Sequence, residues 1–239
     1  MIAVFRPDDG RLADAVEFIE SLGADVLGDA MLEVRPTGNA PRDDGDFTIL
    51  TSKTGVELAA DAGWNAQGTI CAVGDGTASR LREFEYPVHR IPAEFSSTGL
   101  VEELAADVDG ARVEVARSDH GSPVLTDGLE AAGAYVHETI LYELVRPANA
   151  GKSAEAAAEG DLSGAIFTSS LMVQNFLDAA EARGIRSEAL AGLNDAVVGV
   201  IGEPTKSTAE GLGIEVDVVP EKADFETLAR AVVTASNAN

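Results

Sequence analysis

The chain carries one sequence unit twice, and that duplication limits its architecture more than any other feature. Thr51-Ser52 closes one apolar stretch and Thr168-Ser169 closes another. Val73-Gly74-Asp75-Gly76-Thr77 is answered by Ile201-Gly202-Glu203-Pro204-Thr205. Val4-Phe5-Arg6 matches Val115-Ala116-Arg117, and Leu22-Gly23-Ala24 matches Ala132-Gly133-Ala134. Val34-Arg35-Pro36 matches Val145-Arg146-Pro147, while Pro92 and Leu100 match Pro220 and Leu228. The offset rises from 111 at Arg35/Arg146 through 117 at Thr51/Thr168 to 128 at Thr77/Thr205. A rising offset means one duplicated unit with small loop insertions in the second copy. Two similar modules in one chain must meet, and a ligand site is expected where they do.

A length of 239 residues gives each module an ordinary domain size. No apolar run approaches the roughly 20 residues of a membrane span. Met1-Ile2-Ala3-Val4-Phe5-Arg6 is too short in its apolar part, and wrong in its flanks, for an export signal. Cys71 is the single cysteine, which excludes an internal disulfide, so the expected location is cytoplasmic. The net charge is −24, from 41 acidic and 17 basic residues, and only four of the basic residues are lysines. Such a surface repels itself in dilute salt, whereas at about 1 M the Debye length is roughly 3 Å. The acidic residues are scattered and form no tail, so the expectation is a high-salt, halophile-like cytoplasm. Nucleic acid is excluded as a partner, because it needs a basic footprint.

Strand and helix patterns alternate. Ile2 to Phe5 reads as a buried strand, followed by a helix with Leu12, Val16, Ile19 and Leu22 on one face and Gly23 as its stop. The unit returns from Arg112 to Ala134. Further short apolar strands fall at Phe47 to Leu50, Thr69 to Val73, Ala165 to Phe167, Ala196 to Val200 and Glu215 to Val219. The fold class is therefore α/β, with two similar parallel-sheet domains. Met31 to Arg35 and Thr139 to Arg146 break the pattern; each ends in Pro, and each reads either as an edge strand or as a connector between modules. Asn149 to Gly160, rich in Ala, Gly, Ser and Glu, reads as a short exposed helix or a loop.

The repeated turns carry the chemistry. Ser52 and Ser169 each follow a strand and precede a helix, so either can be an N-cap. The same Thr51-Ser52 and Thr168-Ser169 hydroxyls, with free amides beside them, also suit an anion. Open α/β sheets bind ligands at the carboxyl ends of their strands. Gly74 with Thr77, and Gly202 with Thr205, repeat the arrangement. Gly74 and Gly76 do not complete a dinucleotide fingerprint, since Ser79 stands where a third Gly belongs. Gly151-Lys152-Ser153 is no P-loop, since Arg146 stands where its first Gly belongs.

Scarce cations cluster at these turns. Arg6 and Arg117 hold matching strand ends, Lys53 follows Ser52, and Lys206 follows Thr205. They suit a ligand with several carboxylates or phosphates, or else neutralise neighbouring Asp and Glu. Tyr142 lies in the second odd strand and either packs or presents a phenol to the ligand site. His89, His120, His137 and Cys71 have no metal-site spacing, and no serine-hydrolase elbow exists. The expectation is no metal and no cofactor.

These motifs, in this order and spacing, resemble the uroporphyrinogen-III synthase family over nearly the whole chain. The resemblance rests on Val4-Phe5-Arg6-Pro7, Leu50-Thr51-Ser52, Ala72-Val73-Gly74 with Thr77-Ala78, and Gly133-Ala134 leading to Tyr142. Phe167-Thr168-Ser169, Val200-Ile201-Gly202 with Pro204-Thr205, and Pro220 to Leu228 complete it. It implies a discontinuous domain of residues 1–33 and 147–239, an inserted domain of 37–137, and a two-stranded ladder of 31–36 with 138–146. It implies cyclisation of hydroxymethylbilane, a linear tetrapyrrole with eight carboxylates, with loss of water and inversion of ring D. Tyr142 then matches the tyrosine assigned to departure of the hydroxyl. Arg6, Thr51, Ser52, Lys53, Gly74, Thr77, Arg117, Thr168, Ser169, Gly202, Thr205 and Lys206 become candidate substrate-binding residues. The expected state is a monomer in tetrapyrrole and heme biosynthesis, with transient handover from hydroxymethylbilane synthase. Two departures stand out: Lys206 where the family often has Ala, and acidic Asp75 and Glu203 beside a polyanionic substrate. The competing reading is a two-domain protein that binds or senses a small molecule without catalysis.

Overall fold

In the computed structural model, which describes residues 1–238, the chain divides into two compact units. The first joins Met1–Val34 to Val145–Asn239, and the second is Arg35–Leu144. The first unit contains β1 (Ile2–Pro7), α1 (Gly10–Ser21) and most of β2 (Val26–Pro36). It continues with α6 (Lys152–Ala158), β7 (Gly164–Phe167), α7 (Ser170–Ala182), α8 (Arg186–Asn194), β8 (Val197–Val200), α9 (Glu203–Gly211) and α10 (Phe225–Ser236). The second unit contains β3 (Phe47–Leu50), α2 (Lys53–Asp61), β4 (Thr69–Ala72), α3 (Asp75–Glu83) and α4 (Ser97–Leu104). It ends with β5 (Arg112–Ser118), α5 (Pro123–Ala131) and most of β6 (Tyr135–Val145). The chain passes between units twice, within β2 and within β6.

The duplicated halves are exchanged between the units. Each unit takes the strand-helix-strand opening of one copy and the closing half of the other. Both consequently have the same strand order, β2-β1-β7-β8 in the first and β6-β5-β3-β4 in the second. Every pairing within a unit is parallel. All strands of a unit therefore end on one edge, where the repeated turns lie.

The repeat extends to an irregularity. The β1–β2 register slips after Arg6, from Arg6↔Ala30 to Pro7↔Leu32. The β5–β6 register slips after Arg117, from Arg117↔Ile140 to Ser118↔Tyr142. Such bulges re-aim the side chains beside them. The matched helix stops also agree: Gly23 and Gly133 have φ of 83° and 92°, the left-handed geometry that glycine adopts without a Cβ penalty.

Burial explains why these segments hold. β1 is covered on both faces. Ile2 and Val4 pack with Ile19, Leu228 and Val232 of α1 and α10. On the other side Phe5 stacks on Phe167 at 4.3 Å, and Phe176 of α7 meets both rings edge-on at 5.6 and 5.8 Å. Each such pair adds about 0.5–1.5 kcal/mol beyond its buried area. In the second unit Ile49, Val113 and Val115 pack with Leu100, Leu104, Leu125 and Leu129 of α4 and α5.

The structure corrects two expectations. The Asn149–Gly160 segment is not exposed: Ser153, Ala154, Ala156 and Ala157 of α6 are buried. Its small side chains allow close packing, and a Cβ on Gly192 of α8 would collide with the Ala157 carbonyl. Glu215 to Val219 is not a strand but makes a single bridge, Gly199↔Val218. Among the described residues no helix is long and apolar enough to cross a membrane.

Candidate active site

In the second unit the carboxyl ends of β3, β4, β5 and β6 gather Thr51, Ser52, Lys53, Gly74, Thr77, Arg117 and Tyr142 on one edge. Ser52 is the N-cap of α2, with its Oγ accepting the Gly55 N–H at 2.9 Å. The same Oγ lies 3.0 Å from the Tyr142 hydroxyl, reaching across the end of β5. The Tyr142 ring is buried, with 7% of the residue exposed. Gly55 makes room for this contact, since a Cβ there would stand 3.1 Å from Ser52 Oγ and 3.5 Å from Leu141 Cδ1.

Gly74 starts α3 with no side-chain cap, so the first amides of that helix keep their donors. Thr77, in its first turn, is buried, and its hydroxyl makes no hydrogen bond among the described residues. Gly76 leaves space for Lys53: a Cβ there would come within 3.0 Å of Lys53 Cε. Lys53 and Gly76 line a depression of about 300 Å³ with Glu57, Ser79, Arg80 and Glu83.

The first unit repeats the pattern on its own carboxyl edge. Ser169 caps α7, accepting the Met172 N–H at 3.3 Å. Thr168 Oγ1 donates to the Phe5 carbonyl at 3.0 Å, tying β7 to β1. Gly202 starts α9 without a side-chain cap. Its backbone is extended, and a Cβ there would meet only Pro204, at 4.0 Å. Local structure does not demand glycine at 202. Thr205, like Thr77, is buried with no hydrogen bond to its hydroxyl among the described residues. Lys206 reaches Glu210 loosely, at 3.8 Å. Asp75 and Glu203 occupy the exposed first turns of α3 and α9, where a negative charge complements the helix dipole.

The matched arginines differ in use. Arg6 lies 4.4 Å over the Phe225 ring, and its Nε is buried without a hydrogen-bond partner. Burial, then the nearby Arg11 charge, hold its pKa below the usual arginine value. It opens onto a 340 Å³ pocket with Arg11, Phe18 and Phe225, whose rim carries Asp14, Asp224 and Glu226. Arg117, by contrast, is 5% exposed and engaged with Glu138 and with the Ser122 carbonyl, the latter at 2.6 Å. Its Nε and Nη1 are held by Glu138 and the β5–α5 turn, whereas Arg6 Nε is buried without a partner.

The Gly151-Lys152-Ser153 turn presents backbone amides as an anion nest would, and a carboxylate of the chain fills it. Asp29 Oδ2 accepts the Gly151 N–H at 3.0 Å, the Ser153 N–H at 2.9 Å and the Ser153 hydroxyl at 2.6 Å. Sequence reasoning missed this group, because Asp29 lies 122 residues from Gly151. Among the described residues no group of three or more His, Cys, Asp and Glu side chains is placed to hold a metal ion.

The family described as uroporphyrinogen-III synthase HemD matches residues 13–230. The chain belongs to the uroporphyrinogen-III synthase family. A uroporphyrinogen-III synthase of Chlorobaculum parvum is 26% identical, covering 98% of each chain. A protein of Methanothermobacter thermautotrophicus, provisionally named for the same synthase, is 29% identical over 97% of this chain and 96% of its own. The solved uroporphyrinogen-III synthases of Thermus thermophilus (a mutant) and Helicobacter pylori share the fold, with TM-scores of 0.71 and 0.65 at 16% identity. The alignment with the Thermus protein covers all of both chains, and that with the Helicobacter protein covers 98% of each. The family's α/β architecture is thus present along the full described length.

Proposed function

We propose that this chain is a uroporphyrinogen-III synthase, closing hydroxymethylbilane to uroporphyrinogen III in tetrapyrrole biosynthesis. The observation that carries this reading is the Tyr142 phenol held 3.0 Å from Ser52 at the start of α2, within a chain whose family membership is plain. Loss of the substrate hydroxyl needs one proton, and a phenol can supply it. The C–O bond breaks, water leaves, and the cationic azafulvene shares its charge with the pyrrole. Ring D then attacks through its substituted carbon to give a spirocyclic pyrrolenine. The original methylene bond from ring C to that carbon breaks, and the azafulvene so formed closes onto the free α-carbon of ring D, which inverts the ring. A proton is lost as aromaticity returns, which restores the phenol. Little further acid-base machinery is needed, so the protein's main task is to hold the chain in the reactive geometry.

The carboxyl edge of each unit carries groups suited to an anion. Uncapped amides of α3, the hydroxyls of Thr77 and Thr205, and the cations Arg6, Lys53 and Lys206 suit carboxylates. The reaction class is a carbon–oxygen lyase, working as a monomer in a high-salt cytoplasm on substrate passed from hydroxymethylbilane synthase.

Catalysis and mere binding part company at low enzyme concentration. With hydroxymethylbilane in a thousandfold excess over protein, a catalyst speeds loss of the linear tetrapyrrole throughout. A binding or sensing protein leaves the bulk rate at its spontaneous value, and that result would reject the proposal.

A further inference from the structure

Either hydroxyl of the Ser52–Tyr142 contact can donate, and the Gly55 N–H bond to Ser52 favours donation by the serine. Ser52 Oγ already accepts the Gly55 N–H, at 2.9 Å. A serine hydroxyl has one proton and two acceptor sites. No other acceptor stands within reach of that proton among the described residues, and Ser52 is likewise the sole protein partner of the Tyr142 hydroxyl. An amide donating to Oγ makes the serine O–H a stronger donor in its turn. With Ser52 as donor, the hydrogen bonds run from the Gly55 amide through Ser52 to the Tyr142 oxygen.

Resting on the proposed function, we infer that Ser52 is a positioning residue for Tyr142: its hydroxyl donates to the phenol oxygen and turns the phenolic proton outward, toward the leaving hydroxyl. When the phenol gives up that proton, the Ser52 O–H remains on the phenolate oxygen. The positive end of α2 stands behind it, so charge develops against a donor already in place. The proton goes to the departing hydroxyl, which leaves as water, and the phenol is restored by the proton lost when ring closure ends. The bulge at Arg117/Ser118 sets Tyr142 opposite Ser118. The absent Cβ of Gly55 lets Ser52 approach.

Ser52 also caps α2, so the test must separate the two roles. Glycine is nearly as good an N-cap as serine and alanine is not, while neither carries a hydroxyl. Ser52→Gly and Ser52→Ala should therefore lower kcat alike, by about 10- to 100-fold, the value of a hydrogen bond to a charged oxygen. KM should stay within about threefold, and Ser52→Thr should restore most of the rate. In the Tyr142→Phe background Ser52→Gly should cost nothing more. An undiminished Ser52→Gly effect in that background would overturn the inference, as would a loss confined to Ser52→Ala that follows thermal stability. A wild-type protein that makes no type III isomer would instead reject the function, and the inference with it.

Discussion

Ser153 gives both its backbone N–H and its hydroxyl to a single oxygen of Asp29, at 2.9 and 2.6 Å, inside the first unit. A β2 side chain thereby caps a helix that begins more than a hundred residues later in the chain. Asp29 is 4% exposed, so removing it leaves three donors without partners in a dry site. Asp29→Ala should destabilise the protein by about 2–4 kcal/mol. Asp29→Asn, which keeps one acceptor oxygen, should cost less than half as much. Thermal unfolding in concentrated salt measures both, and equal losses would show that the carboxylate is not the cap.

The two matched arginines should separate in their effects. Arg6→Gln should raise KM about tenfold with a smaller change in kcat, as loss of a ground-state contact does. Arg117→Gln should act on folding instead, costing about 1–3 kcal/mol through the lost hydrogen bonds to Glu138 and the Ser122 carbonyl. Kinetics and thermal melts on both variants decide it; the reverse pattern would mean Arg117 serves the ligand.

Tyr142→Phe keeps the buried ring and removes only the hydroxyl. Turnover should fall by about 10²–10⁴, the usual range for one general acid. It should stay above the uncatalysed rate, because positioning carries the rest. Collapse to the spontaneous rate would show that the phenol does more than assist departure of water.

Burial pushes the Cys71 thiol up to about 12, from a usual value of 9.0. The folded state holds this proton where the unfolded chain loses it. Stability from this group is therefore complete below about pH 9, falls as pH rises, and is gone above about pH 12. Cys71→Ala should flatten the alkaline limb of the stability curve. In the native protein Cys71 should resist thiol reagents at pH 8 and react only on unfolding; fast native labelling would contradict its buried place in β4.

Much of this was legible in the sequence because the repeated turns sit on a rigid plan. Apolar strands short enough to be buried on both faces, followed by Ser or Gly, announce a parallel sheet and its helix N-termini. Ser52 and Ser169 are the caps that their positions suggest. The full length of β2 and β6 was not legible, since Gly28-Asp29 and His137-Glu138 interrupt their apolar pattern. α6 was misread because alanine is equally at home in water and in a tight helix crossing, and only the approach of Gly192 distinguishes them. The Ser52–Tyr142 and Asp29–Ser153 contacts join residues 90 and 124 apart, and no local spacing signals them. Arg117 matched Arg6 in sequence while Glu138 and the Ser122 carbonyl redirected its side chain.

The most direct measurement is the identity of the macrocycle. Freshly made hydroxymethylbilane, incubated in concentrated salt with and without the protein, is oxidised and its porphyrin isomers are separated. The account predicts the type III isomer as the dominant product with protein and type I without it. Type I alone, formed at the same rate in both samples, would contradict it.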